Sequence, residues 1–246
     1  MTKHGTAPVI QVDQFAEFAA YVVRSLPRDM DPTTAQGWIG NTQALSKVLR
    51  EALMPPEEKP AIQDLQDILA DWQTFYREEF GIEADFSNLR IPQAGFDRLI
   101  VIAQGITAQK VYDQCKKNFD CWKYTDKNLD EAVPTSDRKA ENGSYAIWVR
   151  NRVEADEELK NLSSNQLKKK NIQGITLTEC LLYELKYYKE TGKHLDIKNW
   201  TLCSGSRHSG GPVPCVRWDP DRRRLEVAWC SSDRASDCLR SREAVS

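Results

Sequence analysis

Residues Leu99-Ile-Val-Ile-Ala103 form an unbroken apolar run, three of its five residues β-branched, between Arg98 and Gly105. A run with no polar alternation reads as a strand covered on both faces, and such a strand needs a layer of structure on either side. Thr107 then caps a helix with Val111, Tyr112, Cys115 and Phe119 on one side, which closes a strand-to-helix unit. The pattern predicts an α/β fold, with α+β as the alternative: a helical N-terminal region followed by a mixed sheet with packed helices.

The helical region is expected over residues 10–81. Asp13 is placed to cap a helix in which Phe15, Phe18, Ala19, Val22, Val23 and Leu26 recur until Pro27. Asp31 and Pro32 start a second, carrying Trp38, Ile39, Leu45, Val48, Leu49 and Leu53 to Pro55-Pro56, with Gly37 and Gly40 weakening its first turns. Ile62, Leu65, Ile68, Leu69, Trp72, Phe75 and Tyr76 trace a third, ending at Gly81.

The grammar changes at Leu89, so residues 89–246 read as a mixed α/β domain. After the strand and helix described above, residues 121–143 read as a long polar loop, Tyr145–Val153 as a second strand and Ser163–Gly174 as a short lysine-rich helix. Thr176 and Glu179 make a capping box before a helix that stops at Gly192. Three more strands follow, at Trp200–Cys203, Val213–Trp218 and Leu225–Cys230, the last two joined by the turn Asp219-Pro-Asp-Arg222.

With 246 residues and seven tryptophans, the chain can bury a core without a disulfide framework or structural metal. Its 34 basic and 36 acidic residues leave a formal charge of −2, too little for a global field toward nucleic acid or an anionic membrane. No secretory pattern opens the chain, and no apolar run approaches the roughly 18 residues of a membrane span. The expectation is a soluble cytoplasmic protein. Seven cysteines, an odd number, then read as reduced thiols.

Four groups of residues carry candidate chemistry. Cys203, His208, Cys215 and Cys230, with Cys238 beyond them, contain enough ligands for a closed zinc site, but they lack the close C-x2-C spacing such sites use. Buried core thiols are the favoured reading, and no cofactor is expected. The loop Ser204-Gly-Ser-Arg-His-Ser-Gly-Gly211 offers unobstructed amides with Ser204, Ser206, Arg207 and His208 around an anion. It leads into a strand, however, so it has no helix N-terminus behind it and is no P-loop.

Glu154, Asp156, Glu157 and Glu158 follow a strand, where carboxylates can hold magnesium for phosphoryl chemistry; they equally suit the first turn of a helix bearing Leu159, Leu162 and Leu167. Lys168-Lys-Lys170 and Arg222-Arg-Arg224, near Trp122, Tyr124, Tyr187, Tyr188, Trp218 and Trp229, supply the cations and stacking rings that single-stranded nucleic acid uses. Only His4, His194 and His208 could activate a thiol such as Cys115, Cys121 or Cys203, and no local signature joins them. No G-x-S-x-G elbow is present, and no catalytic residue is assigned.

Phe96–Ala103, Asp120-Cys-Trp-Lys-Tyr-Thr125, Arg152–Lys160 and Gly192-Lys-His-Leu-Asp196 together resemble a family of small bacterial proteins, over roughly residues 72–246. The resemblance implies a bacterial cytoplasmic protein and brings no activity, so no functional residue follows from it. The expectation for function is a non-enzymatic binding or adaptor protein, with a protein partner ahead of nucleic acid and no membrane. The alternative is an enzyme acting on a phosphorylated or nucleotide substrate through the acidic cluster and the Gly/Ser-rich loop. Neither reading sets the oligomeric state.

Overall fold

The computed structural model describes residues 12–25, 27, 29–53, 65–93 and 95–246. Leu26, Pro55, Pro56 and Ile62, named in the helix patterns, lie outside the described residues, as does His4. The chain divides into two compact units, Met1–Ile62 and Gln63–Ser246.

In the first unit, α1 spans Val12–Ser25, α2 Pro32–Gly40 and α3 Thr42–Leu53. Asp31 caps α2 by accepting from the amides of Thr33 and Thr34. The single helix expected from Pro32 onward is two, because Asn41 turns its side chain back to the Ala44 amide at 3.1 Å and starts a new helix there. No described residue of α1–α3 is buried. The stripe on α1 faces water: Phe15 is 57% exposed and Phe18 44%.

The second unit begins with α4, Leu65–Phe80, ended by Gly81 in the left-handed region. The residues expected as one helical region therefore belong to two units. α4 lies on β1 (Arg98–Ile102), whose far edge is paired with β4 (Tyr145–Val149) in an antiparallel two-stranded sheet. An open strand edge exposes backbone groups, and aromatic side chains of α4 cover this one. Trp72 Nε1 donates to the Leu99 carbonyl, while the Tyr76 hydroxyl donates to the Val101 carbonyl at 2.7 Å and accepts from the Ala103 amide at 3.1 Å. Leu99 through Ala103 are all buried, as the apolar run requires.

α5 (Ala108–Asn118) is capped by Thr107 and carries Val111, Tyr112 and Cys115 inward. The stretch read as a loop holds β2 (Cys121–Lys123), α6 (Leu129–Ala132) and β3 (Thr135–Ser136). β2 escapes a reading of the sequence because its partner, β8, lies about a hundred residues further on and runs parallel to it. After β4 the chain makes only a 3-10 turn at Glu157–Leu159, not the helix that the acids suggested. α7 (Ser164–Lys169) and α8 (Leu177–Thr191) both start with complete capping boxes, Ser163 with Gln166 and Thr176 with Glu179.

β5 (Trp200–Leu202), β6 (Ser206–Arg207), β7 (Val213–Asp219), β8 (Arg224–Cys230) and β9 (Leu239–Ser241) complete the fold. The main sheet has the order β2-β8-β7-β5-β9 with both parallel and antiparallel pairs, and β3 pairs with β6 separately. The fold is α/β, but the first strand and the C-terminal strands lie in different sheets instead of the single one expected.

Alternation along β7 and β8 sends Val216, Leu225 and Val227 into the large core shared with α4, α5 and α8. The opposite face sends Val213, Cys215 and Cys230 into a smaller core with Leu159, Leu167, Leu202 and Leu239. Among the described residues no helix is long and apolar enough to cross a membrane.

Candidate functional site

The loop proposed for an anion spends its polar groups on the protein. Ser206 is buried, its hydroxyl 2.8 Å from that of Ser136, and it accepts from the Leu177 amide at 3.0 Å. Ser204 shares a 3.0 Å hydrogen bond with the Ser241 hydroxyl. Arg207 donates to the carbonyls of Ser204 and Ser206 and to Ser164 Oγ at 2.7 Å. His208 Nδ1 accepts from the Gly210 amide, and its ring leans on Trp229. β6 sits within this loop, which is a strut of the fold.

Each acid of the cluster likewise has a structural partner. Glu154 accepts from the amides of Lys198 and Asn199 and from Asn199 Nδ2. Asp156 is fully buried against Arg150 Nη1 at 2.6 Å and the Glu243 amide at 2.8 Å. Glu157 pairs with Arg240, and Glu158 with both terminal nitrogens of Arg152, whose hydrogen bonds hold it down to about 2. Three of the four acids are thus paired with arginines. Among the described residues no three His, Cys, Asp or Glu side chains are grouped to hold a metal.

Of the basic residues, Lys168, Lys169 and Lys170 are exposed at the end of α7. Arg222 and Arg224 are drawn into the hairpin's own ion network. Arg222 meets Asp219 at 2.9 Å, Arg224 meets Glu226 at 2.8 Å and lies over the Trp122 ring, and Arg217 joins both acids. Arg223 turns the chain with a φ of 51°. Local acids neutralise much of this patch.

The zinc candidates separate. Cys203 is buried beside Cys180; burial first, and the hydrogen bond with Cys180 second, push its thiol well up. His208 is on Trp229. Cys215 and Cys230 do meet, with Sγ atoms 3.1 Å apart. They line a largely apolar cavity of about 180 Å³ with Trp200, Trp229, Arg234 and Cys238. The contact between the two thiols raises Cys215 and lowers Cys230; burial opposes the second effect and Arg234 assists it. By contrast, burial raises Cys115 and Cys121.

A second hollow, of about 130 Å³, lies where α5 and α8 begin, lined by Thr107, Asp130, Arg138, Lys139, Tyr145 and Thr178 among others. Its most buried charge is already matched: Arg138 holds both oxygens of Glu179 at 2.7 and 2.8 Å, and Tyr145 donates to the same carboxylate. The capping box marked Glu179 in the sequence, but nothing there marked Arg138 as its partner. Sequence reasoning also missed Arg234 and the closeness of Cys215 to Cys230; the turn at Asp219–Arg222 was the one signal that could have brought those two strands together.

No family model, no curated protein and no solved structure matches this chain.

Proposed function

We propose that the protein is a non-enzymatic binding or adaptor protein whose N-terminal helices engage a protein partner. The observation that carries this reading is the apolar stripe of α1, where, among the described residues, Phe15 and Phe18 face water at helical spacing, with Val23 beside them and Ile39 on α2 also exposed. An amphipathic helix gains stability from burying its apolar face, and a partner's groove supplies that burial where the described residues do not. The arginine partners of Asp156, Glu157 and Glu158 and the internal hydrogen bonds of Ser204–His208 favour this reading over the phosphoryl enzyme. The same proposal, on the resemblance over residues 72–246, places the protein in a bacterial cytoplasm.

Full-length protein carrying Phe15→Glu and Phe18→Glu tests it. The pair is expected to lose the partners that wild type captures by cross-linking, with stability unchanged within about 0.5 kcal/mol per site because neither ring is buried. Identical captured proteins from wild type and variant would remove the stripe as the docking element. Capture that survives this variant but falls steeply with salt, and is lost on replacing Lys168–Lys170, would favour nucleic acid instead.

A further inference from the structure

We propose that Cys215 and Cys230 are a redox-active dithiol that a hydroperoxide converts reversibly to a disulfide, with Cys230 attacking and Cys215 resolving. The geometry begins with the hairpin. The register of β7 and β8 sets Cys215 opposite Ala228 and Cys230 opposite Val213, so the two cysteines are diagonal neighbours on one sheet face. Their sulfurs are 3.1 Å apart, closer than unbonded sulfur atoms normally rest and about 1 Å from the 2.03–2.05 Å of a disulfide. A small side-chain rotation closes that gap.

Three further features separate this pair from the other thiols. Both residues line a cavity of about 180 Å³, with Cys238 at its edge, large enough for a small hydroperoxide, whereas Cys115 and Cys203 are fully buried in the large core. Arg234 lines the same cavity and favours an anion on the sulfur beside it. The two thiols are not equivalent: Cys230 is 8% exposed against 3% for Cys215, and the contact with its neighbour and Arg234 both lower Cys230, which assigns Cys230 as the nucleophile and Cys215 as the resolving thiol.

The chemistry balances. The Cys230 sulfur attacks the peroxide, an S–O bond forms and the O–O bond breaks; the departing alkoxide takes a proton and leaves as the alcohol, giving a sulfenic acid at Cys230. The Cys215 sulfur then attacks the Cys230 sulfur, the S–S bond forms, and the hydroxyl leaves with the Cys215 proton as water. Two thiols and one hydroperoxide become one disulfide, one alcohol and one water; the thiols lose two electrons and the O–O bond gains them. A small dithiol reductant reverses the step by thiol–disulfide exchange, returning both thiols.

Peptide mapping of the full-length protein decides the matter. Trypsin cuts after Arg207, Arg217, Arg224, Arg234 and Arg240, which puts Cys215, Cys230 and Cys238 on three different peptides. Reduced protein treated with one equivalent of hydrogen peroxide, then alkylated, is expected to yield the Cys215–Cys230 linked peptide and to lose two of its seven free thiols. In Cys215→Ser the sulfenic acid at Cys230 should persist and be trapped by dimedone; in Cys230→Ser, oxidation at position 215 should slow about tenfold or more. Seven thiols still free, or a link through Cys238, would overturn the pairing. Equal rates in the two variants would overturn the assignment of the nucleophile. The wild-type map needs no substitution, so a variant that fails to fold leaves the test intact.

Discussion

Gly205→Ala is expected to abolish or nearly abolish the folded state of the second unit, at about 3 kcal/mol or more. A methyl group at position 205 would lie 2.6 Å from the Gly174 carbonyl oxygen, 3.1 Å from Thr176 Cγ2 and 3.2 Å from the Ile175 carbonyl oxygen. Two of these neighbours are backbone atoms and have no rotamer to change. The approach is close because this strand-like loop is hydrogen-bonded to what it touches: the Gly205 amide donates to the Ile175 carbonyl at 3.1 Å, and its carbonyl accepts from the Asp137 amide at 2.8 Å. Moving the backbone away to admit a methyl would also disturb the β3–β6 pairing and the hydrogen bond from the Leu177 amide to Ser206, at the start of α8.

Gly143→Ala is the matched control, since a methyl there meets nothing within 4 Å. Urea unfolding of both variants measures the difference. Equal midpoints would mean that the close contact between residues 174 and 205 does not hold the unit together.

What was legible in the sequence was what is decided locally. A cap and its partner are three residues apart, so Thr107, Thr176 and Glu179 announce α5 and α8 without reference to the rest of the chain. The buried run Leu99–Ala103 was legible for a different reason, because β-branched side chains without polar alternation suit only a covered strand. Pairings across long separations were not legible. Nothing in Cys121-Trp-Lys123 announces a strand until Leu225–Val227 is brought alongside.

The candidate sites divide in the same way. The acids at 154–158 look like metal ligands only while Arg150, Arg152 and Arg240 are unplaced, and Arg240 reaches Glu157 from the far end of the chain. The pairing of Cys215 with Cys230 depends on one register among several that a turn at Asp219–Arg222 would allow. A one-residue slip would have sent the two thiols to opposite faces.

The residue that follows β9 supplies the second large effect. Arg242, 1% exposed, donates to the carbonyls of Arg152 and Val153 at 2.9 Å and to Asp196 Oδ1 at 2.8 Å, beneath the Tyr183 ring. Asp196 in turn accepts from the Ala155 amide and from the Thr201 hydroxyl at 2.6 Å. Arg242→Met keeps the bulk but leaves a buried carboxylate and two carbonyls without their donor, and a loss of about 3–5 kcal/mol is expected. Replacing Asp196 with Asn in the same chain should recover part of the loss by removing the unpaired charge. A double variant no better than Arg242→Met would show that the lost carbonyl contacts, and not the charge, dominate.

The dependence on pH has a definite sign. Burial pushes Asp196 from its ordinary 3.8 up to about 6, against the lowering influence of Arg242 and of the Thr201 hydroxyl. The folded state therefore holds this proton to a higher pH than the unfolded chain does. The contribution of Asp196 to stability is fully present below about 4, falls as pH rises toward about 6, and is level above that. Without Arg242 the folded carboxyl climbs further and the falling portion extends to higher pH. The stability gap between wild type and Arg242→Met should accordingly narrow as pH is lowered from neutral toward about 4, where Asp196 is protonated in both folded proteins and the missing guanidinium no longer leaves a bare charge. Urea midpoints collected across that range measure the gap. A gap that stays constant with pH would mean that Asp196 takes up its proton over the same range in both proteins, and that Arg242 stabilises the fold through its carbonyl contacts with Arg152 and Val153 instead of through the ion pair.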